Sequence, residues 1–76
     1  VQKIEKIYQK LGQKVREERK SADMTQEELA FKSGLNRAYI GYIERAERNP
    51  SIETINKIAA TLNIPLYKFF IYKKGG

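Results

Sequence analysis

Thr25-Gln26-Glu27-Glu28-Leu29-Ala30-Phe31-Lys32-Ser33-Gly34-Leu35-Asn36-Arg37 holds two helix starts with a helix stop between them. Thr25 and Glu28 have the spacing of a capping box. The hydroxyl accepts from the amide three residues on, and the carboxylate accepts in return from the Thr25 amide. Leu29 and Ala30 supply the buried side of a short helix, which Gly34 is placed to end in the left-handed conformation that a residue without Cβ adopts freely. Asn36 can then cap a second helix from Arg37 to about Arg45, with Ile40 and Ile43 turned inward. Neither helix can bury an apolar side alone, and so short a connection forces the two to pack at a steep angle. Tight helix pairs also occur in bundles and peptide-binding modules, so this geometry by itself does not establish a function.

The flanking segments read as a frame for that pair. From Lys3 to about Ser21, Ile4, Ile7, Leu11 and Val15 recur three and four apart, the stripe of an amphipathic helix. Gly12 interrupts it at a cost of about 1 kcal/mol relative to Ala, and Met24 is expected to cover the core at the turn that follows. Ala46-Glu47-Arg48-Asn49-Pro50 is polar and ends in proline, a surface loop. Ser51 caps a fourth helix with Ile52, Ile55, Ile58, Ala59 and Leu62 on its stripe. Asn63-Ile64-Pro65 breaks it. Pro65 suits the first turn of a fifth helix holding Leu66, Phe69 and Phe70, because its missing N–H costs nothing there. Lys73-Lys74-Gly75-Gly76 reads as a frayed tail. The expectation is one all-α domain of five helices over residues 1–76, with helices 1, 4 and 5 holding the pair rigid.

Composition narrows the function. The 76 residues include neither Cys nor His, so thiolate and imidazole chemistry is unavailable and no metal or other cofactor is expected. Glu27 and Glu28 form a carboxylate pair in sequence only, because adjacent side chains diverge on a helix. No enzyme and no small-molecule ligand are expected. Fifteen Lys and Arg against nine Asp and Glu leave a net charge of +6, which favours duplex DNA, RNA or an anionic membrane as partner. The helix 1 stripe has a core to enter, and no apolar run reaches the length of a membrane span or a signal peptide. A cytoplasmic protein without membrane contact is the expectation. RNA binding would need aromatics arrayed for stacking, and the surroundings of Tyr39 and Tyr42 match a groove-reading helix better.

Several spaced elements together make a more specific pattern: Met24-Thr25-Gln26-Glu27-Glu28-Leu29-Ala30, Ser33-Gly34-Leu35, Tyr39-Ile40, Ile43-Glu44-Arg45 and Arg48-Asn49-Pro50-Ser51. This combination resembles the phage-repressor (Cro/C1-type, Xre) helix-turn-helix family over about Leu11 to Phe70. The long first helix and the Phe69-Phe70 ending are similar to controller proteins of restriction–modification systems, while phage or plasmid repressors and stand-alone regulators share the other features. Antitoxins and protein-binding modules also use such a fold. Two positions depart from the family pattern: Ala46 stands where Gly is usual just after helix 3, and Ser33 where a more apolar residue is common.

The resemblance implies a sequence-specific transcriptional regulator whose third helix enters the major groove of duplex DNA. With Ile40 and Ile43 turned inward, Arg37, Ala38, Gly41 and Tyr42 would face the groove. Arg37 can take guanine O6 and N7 together or hold a phosphate, and Ala38 can meet a thymine methyl. Gly41 either lets the backbone approach the groove floor or is simply tolerated at an exposed site. Tyr42 meets sugar and base edge or packs on the following loop. Gln26 resembles the family's phosphate-binding Gln, and Asn36, Tyr39, Arg48 and Asn49 are further backbone contacts. Lys32 either reaches the flank of the site or is a solvated charge. By the same resemblance Arg19 pairs with Glu44 between helices 1 and 3, the alternative being two independent surface charges. One short helix reads too few base pairs to select a site in a genome, so a homodimer on an inverted-repeat operator is expected. Its contact is assigned to Ile64, Leu66, Tyr67, Phe69 and Ile71, with Tyr8 beside them.

Overall fold

Three side-chain caps set the helix starts that matter here. Thr25 Oγ1 accepts from the Glu28 amide (3.0 Å), Asn36 Oδ1 from the Ala38 amide (2.7 Å) and Ser51 Oγ from the Thr54 amide (3.1 Å). In the computed structural model, which describes residues 2–71 with side chains from residue 6 onward, the elements are α1 (Gln2–Ser21), α2 (Gln26–Ser33), α3 (Arg37–Glu44) and α4 (Ile52–Leu62). A 3-10 turn over Leu66–Phe70 follows them. The Ile4 side chain and the Lys73–Gly76 tail lie outside the described residues.

The fifth helix is therefore a correction: the fold has four α-helices and a 3-10 turn. Pro65 precedes the turn in an extended conformation and its carbonyl accepts from the Lys68 amide. Leu66 and Phe69, three residues apart, then share one side of a coil with three residues per turn. Phe69 is fully buried and Leu66 half-buried, so the short element turns these two toward the core without a further α-helical turn.

Leu11 and Val15 of α1, Leu29 of α2, Ile40 and Ile43 of α3, Ile55, Ile58 and Leu62 of α4, and Phe69 make one core. The α1 helix packs on α3, α2 packs on both α3 and α4, and the 3-10 turn closes over α4 and α1. Two stripe residues stay outside. Ile7 is 48% and Ile52 63% exposed, because the elements around them only partly cover that side of α1 and the start of α4. With Tyr8, Pro50 and Phe70 they line an apolar groove. Met24 and Leu35 are half-buried against the core. Phe69, assigned to a dimer contact from the sequence, is sealed inside the monomer and offers no surface to a second copy.

Candidate nucleic-acid interface

The turn between α2 and α3 is built from the residues that announced it. Gly34 sits at φ 74°, ψ 24°, and its amide points back at the Ala30 and Phe31 carbonyls. The Leu35 amide reaches the Ala30 carbonyl (2.8 Å), which closes the helix end in the double-bonded manner that favours glycine. Ser33 stands where an apolar residue is common, and its hydroxyl is satisfied within its own helix by donating to the Leu29 carbonyl (2.7 Å). At the other end of α2 the Glu28 carboxylate accepts from the Thr25 amide (2.8 Å). That backbone bond, then the Thr25 hydroxyl, holds its pKa below the usual carboxylate range.

One buried ionic cluster fixes α3 against the frame. Arg19 Nε and Nη2 donate to the two Glu44 carboxylate oxygens at 2.7 and 3.1 Å, and Nη1 donates to the Met24 carbonyl at 2.8 Å. Gln26 Nε2 adds a third bond to Glu44, at 3.0 Å. Arg19 is 8% exposed. A guanidinium and carboxylate so placed have their hydrogen-bonding groups matched, the condition under which a buried pair is tolerated, and removal of one partner leaves the other charge stranded. The cluster joins α1, α2 and α3 and the turn before α2 at one point. The Arg19–Glu44 pair expected from the family pattern is present. Gln26, expected at a phosphate, also has its amide nitrogen on Glu44, a contact that no feature of the sequence announced.

A close backbone approach supports the same helix. A Cβ at position 12 would lie 2.9 Å from the Glu44 carbonyl oxygen and closer still to that of Ile43. Gly12 therefore lets α1 run directly beneath the C-terminal carbonyls of α3. Only the mid-helix position of a glycine hinted at this in the sequence.

Beyond α3 the chain turns through Ala46 at φ 59°, so the left-handed conformation that the family usually gives to Gly is adopted here by Ala. Asp23 after α1 and Asn63 after α4 take the same conformation, Asp and Asn being the residues that tolerate it best.

The outer face of α3 carries the expected DNA-facing residues in three different settings. Arg37 and Ala38 are exposed, as are Asn36, Arg48, Asn49 and, in the last turn of α2, Lys32. Tyr39 is half-buried against the core. Gly41, expected at an open site, is instead buried beneath a side chain: the Arg45 guanidinium lies across it. Tyr42 is half-buried, with the Arg45 guanidinium 5.5 Å and that of Arg48 5.0 Å from its ring centre. The structure thus gathers Tyr42, Arg45 and Arg48 into one group and leaves Arg37 and Ala38 open one turn away. The DNA-facing set expected from the sequence did not include Arg45, although it follows Ala38 by seven residues and so returns to the same helix face.

A helix-turn-helix family model matches residues 15–69, more than half of the chain. The chain belongs to the Cro/C1-type (Xre) helix-turn-helix family. Among its relatives, control protein C.BamHI of Bacillus amyloliquefaciens is 50% identical over 54 residues, covering 70% of this chain and 67% of that protein. The crystal structure of the restriction–modification controller protein C.AhdI from Aeromonas hydrophila superposes with a TM-score of 0.81 at 44% identity, over 83% of this chain and 96% of that one. SinR, the master regulator of biofilm formation, solved in complex with DNA, superposes with a TM-score of 0.77 at 32% identity, over 80% and 98% of the two chains. As a member of this family the chain is a sequence-specific DNA-binding regulator that resembles restriction–modification controllers. Among the described residues no group of His, Cys, Asp or Glu could hold a metal ion, and no helix is long and apolar enough to cross a membrane.

Proposed function

We propose that this helix-turn-helix protein acts as a homodimer on an inverted-repeat operator, with α3 in the major groove, as a controller of a restriction–modification system. The observation that carries the reading is the buried Arg19–Glu44–Gln26 cluster. It holds α3 against α1 and α2 while Arg37 and Ala38 remain exposed on the far side. An arrangement that fixes one helix so firmly, yet leaves its outer face unfilled, suits docking into a groove of defined width. Arg37 reads a guanine edge in this scheme, Ala38 and Tyr42 meet neighbouring edges, and Gly41 contributes through the guanidinium above it. The exposed amino end of α2 offers unpaired amides to a phosphate, and Gln26 Nε2, with one N–H on Glu44, keeps a second N–H to donate beside them. Asn36, Tyr39, Arg48 and Asn49 line the flanking backbone, and Lys32 lies farther out.

The dimer contact falls on Tyr67 and Ile71, which are 65% and 55% exposed, with the half-buried Ile64 and Leu66 beneath them. Likeness to control proteins of restriction–modification systems supports the biological assignment.

Selection of random duplexes by the purified protein tests the whole reading. The expected product is an inverted repeat with half-site centres one helical turn, about 34–36 Å, or a multiple apart. Replacing Arg37 with Ala should then cost about 1–3 kcal/mol on the selected site and far less on random DNA. Sedimentation at micromolar protein should show a dimer that Tyr67→Glu or Ile71→Glu dissociates. Selection of an asymmetric site by a monomer would refute the symmetric model.

A further inference from the structure

On α3, Ile40 and Ile43 mark the inward side, and the helical repeat puts Ala38 and Arg45 nearest the centre of the opposite side. Arg45 nevertheless does not stand straight out from the helix. Its side chain runs back along the helix, over Gly41, where a Cβ would lie 2.9 Å from Nη1. Glycine at position 41 therefore leaves a flat seat for the guanidinium. The Tyr42 ring flanks that seat at 5.5 Å. Glu47, in the loop after α3, completes it: Arg45 Nε lies 3.2 Å from one carboxylate oxygen, and Nη2 donates to the other at 3.2 Å. The Glu47 hydrogen bond is the chief reason why the Arg45 pKa stands above its ordinary value. Both side chains are about half exposed, at 54% and 52%, so the pair can open without unfolding anything.

We infer that Arg45 is a further DNA-contacting residue and that Glu47 competes with DNA for it, lowering the affinity of the interface from within. The inference rests on the reading that α3 faces DNA. A guanidinium already paired with a carboxylate gains little from a phosphate or a base edge until that pair is broken. The same forked donor that fits Glu47 also fits a phosphate or guanine O6 and N7. Because Arg45 must leave Glu47 whichever DNA acceptor it meets, the restraint acts on affinity as a whole and adds no discrimination between sequences. The carboxylate also cancels one positive charge at the surface. Its removal should therefore steepen the salt dependence of binding by about 0.9 in log K against log salt, the increment of one further phosphate contact.

The test is a set of anisotropy titrations of the full chain on a random duplex and on its selected site, with Arg37→Ala, Glu47→Gln, Arg45→Met and the Glu47→Gln/Arg45→Met double variant. Circular dichroism melts verify that each is folded. Glu47→Gln should tighten binding to both duplexes by about three- to five-fold, the range that release of an exposed ion pair allows, and Arg45→Met should weaken it. In the Arg45→Met background more than half of that gain, on a logarithmic scale, should vanish. A gain that keeps half or more of its size without Arg45 reports only the general charge of Glu47 and overturns the competition. So does the absence of a gain in the wild-type background. Should Arg37→Ala and Arg45→Met both leave binding unchanged, the placement of α3 on DNA is what fails. A loss with Arg37→Ala alone confines the failure to Arg45 and Glu47.

Discussion

Replacing Gly12 with Ala separates the two ways of reading that residue, because they predict opposite signs. By helix propensity alone, Ala in the middle of α1 should stabilise the protein by up to about 1 kcal/mol. In the structure the added methyl would press on the Ile43 and Glu44 carbonyl oxygens, both of them backbone atoms of α3. No rotamer change can relieve such a contact, so α1 and α3 must move apart where they cross. Overpacking of this kind costs typically about 1–3 kcal/mol. Because both contacts are with backbone, the upper part of that range applies, about 2–3 kcal/mol. Less a propensity gain of about 1 kcal/mol, the net loss should be about 1–2 kcal/mol, or about 4–16 °C in Tm for a domain of this size. Separation there also draws Glu44 away from Arg19, so DNA affinity should fall together with stability. Thermal melts followed by circular dichroism, with Gln13→Ala at an exposed neighbouring position as the control, give the comparison directly. An unchanged or higher Tm for Gly12→Ala would refute the close-approach argument.

Further expectations concern the other devices that shape α3 and its surroundings. Arg19→Ala should cost about 3–5 kcal/mol in urea unfolding, because Glu44 is left buried without its counter-charge; a cycle with Glu44→Ala that shows no coupling would remove the cluster from the account. Ala46→Gly should stabilise the fold by about 1 kcal/mol by relieving the left-handed conformation, and a lower Tm would contradict it. The lowered Glu28 pKa makes its capping contribution fully present above the ordinary glutamate range and lost as pH falls through the depressed value. Glu28→Gln should accordingly flatten that acid limb of the stability curve while changing the slope near neutrality little, and parallel acid limbs for the two proteins would show that the cap does not titrate with folding.

How much of this was legible depended on the distance over which each feature is decided. The Thr25–Glu28 box, the Gly34 stop and the Asn36 and Ser51 caps are settled within five residues, and the structure has them where the sequence places them. Periodicity found the core side of α3 and most of α4. It placed Ile7 and Ile52 inside because a stripe tells which face of a helix is apolar, not how far the neighbouring elements extend over it. The last element was read as an α-helix because Leu66, Phe69 and Phe70 fit either helical repeat over so few residues. The Gly12 crossing and the bond from Gln26 to Glu44 depend on how α1, α2 and α3 meet, which no local pattern encodes. Arg45 was within reach of the sequence by its phase on α3. Its contact with Glu47 was not, since that depends on the course of the loop through Ala46.

Glu44 has one more consequence. The side chains that would touch DNA project from one side of α3, and the bonds that hold the helix in place leave from the other. If α3 docks as proposed, substitutions at Arg37 or Ala38 change which bases are preferred without disturbing the anchor. A regulator built in this way can acquire a new binding site while its scaffold stays as it is, so paralogues in one cell can diverge in target choice before they diverge in structure.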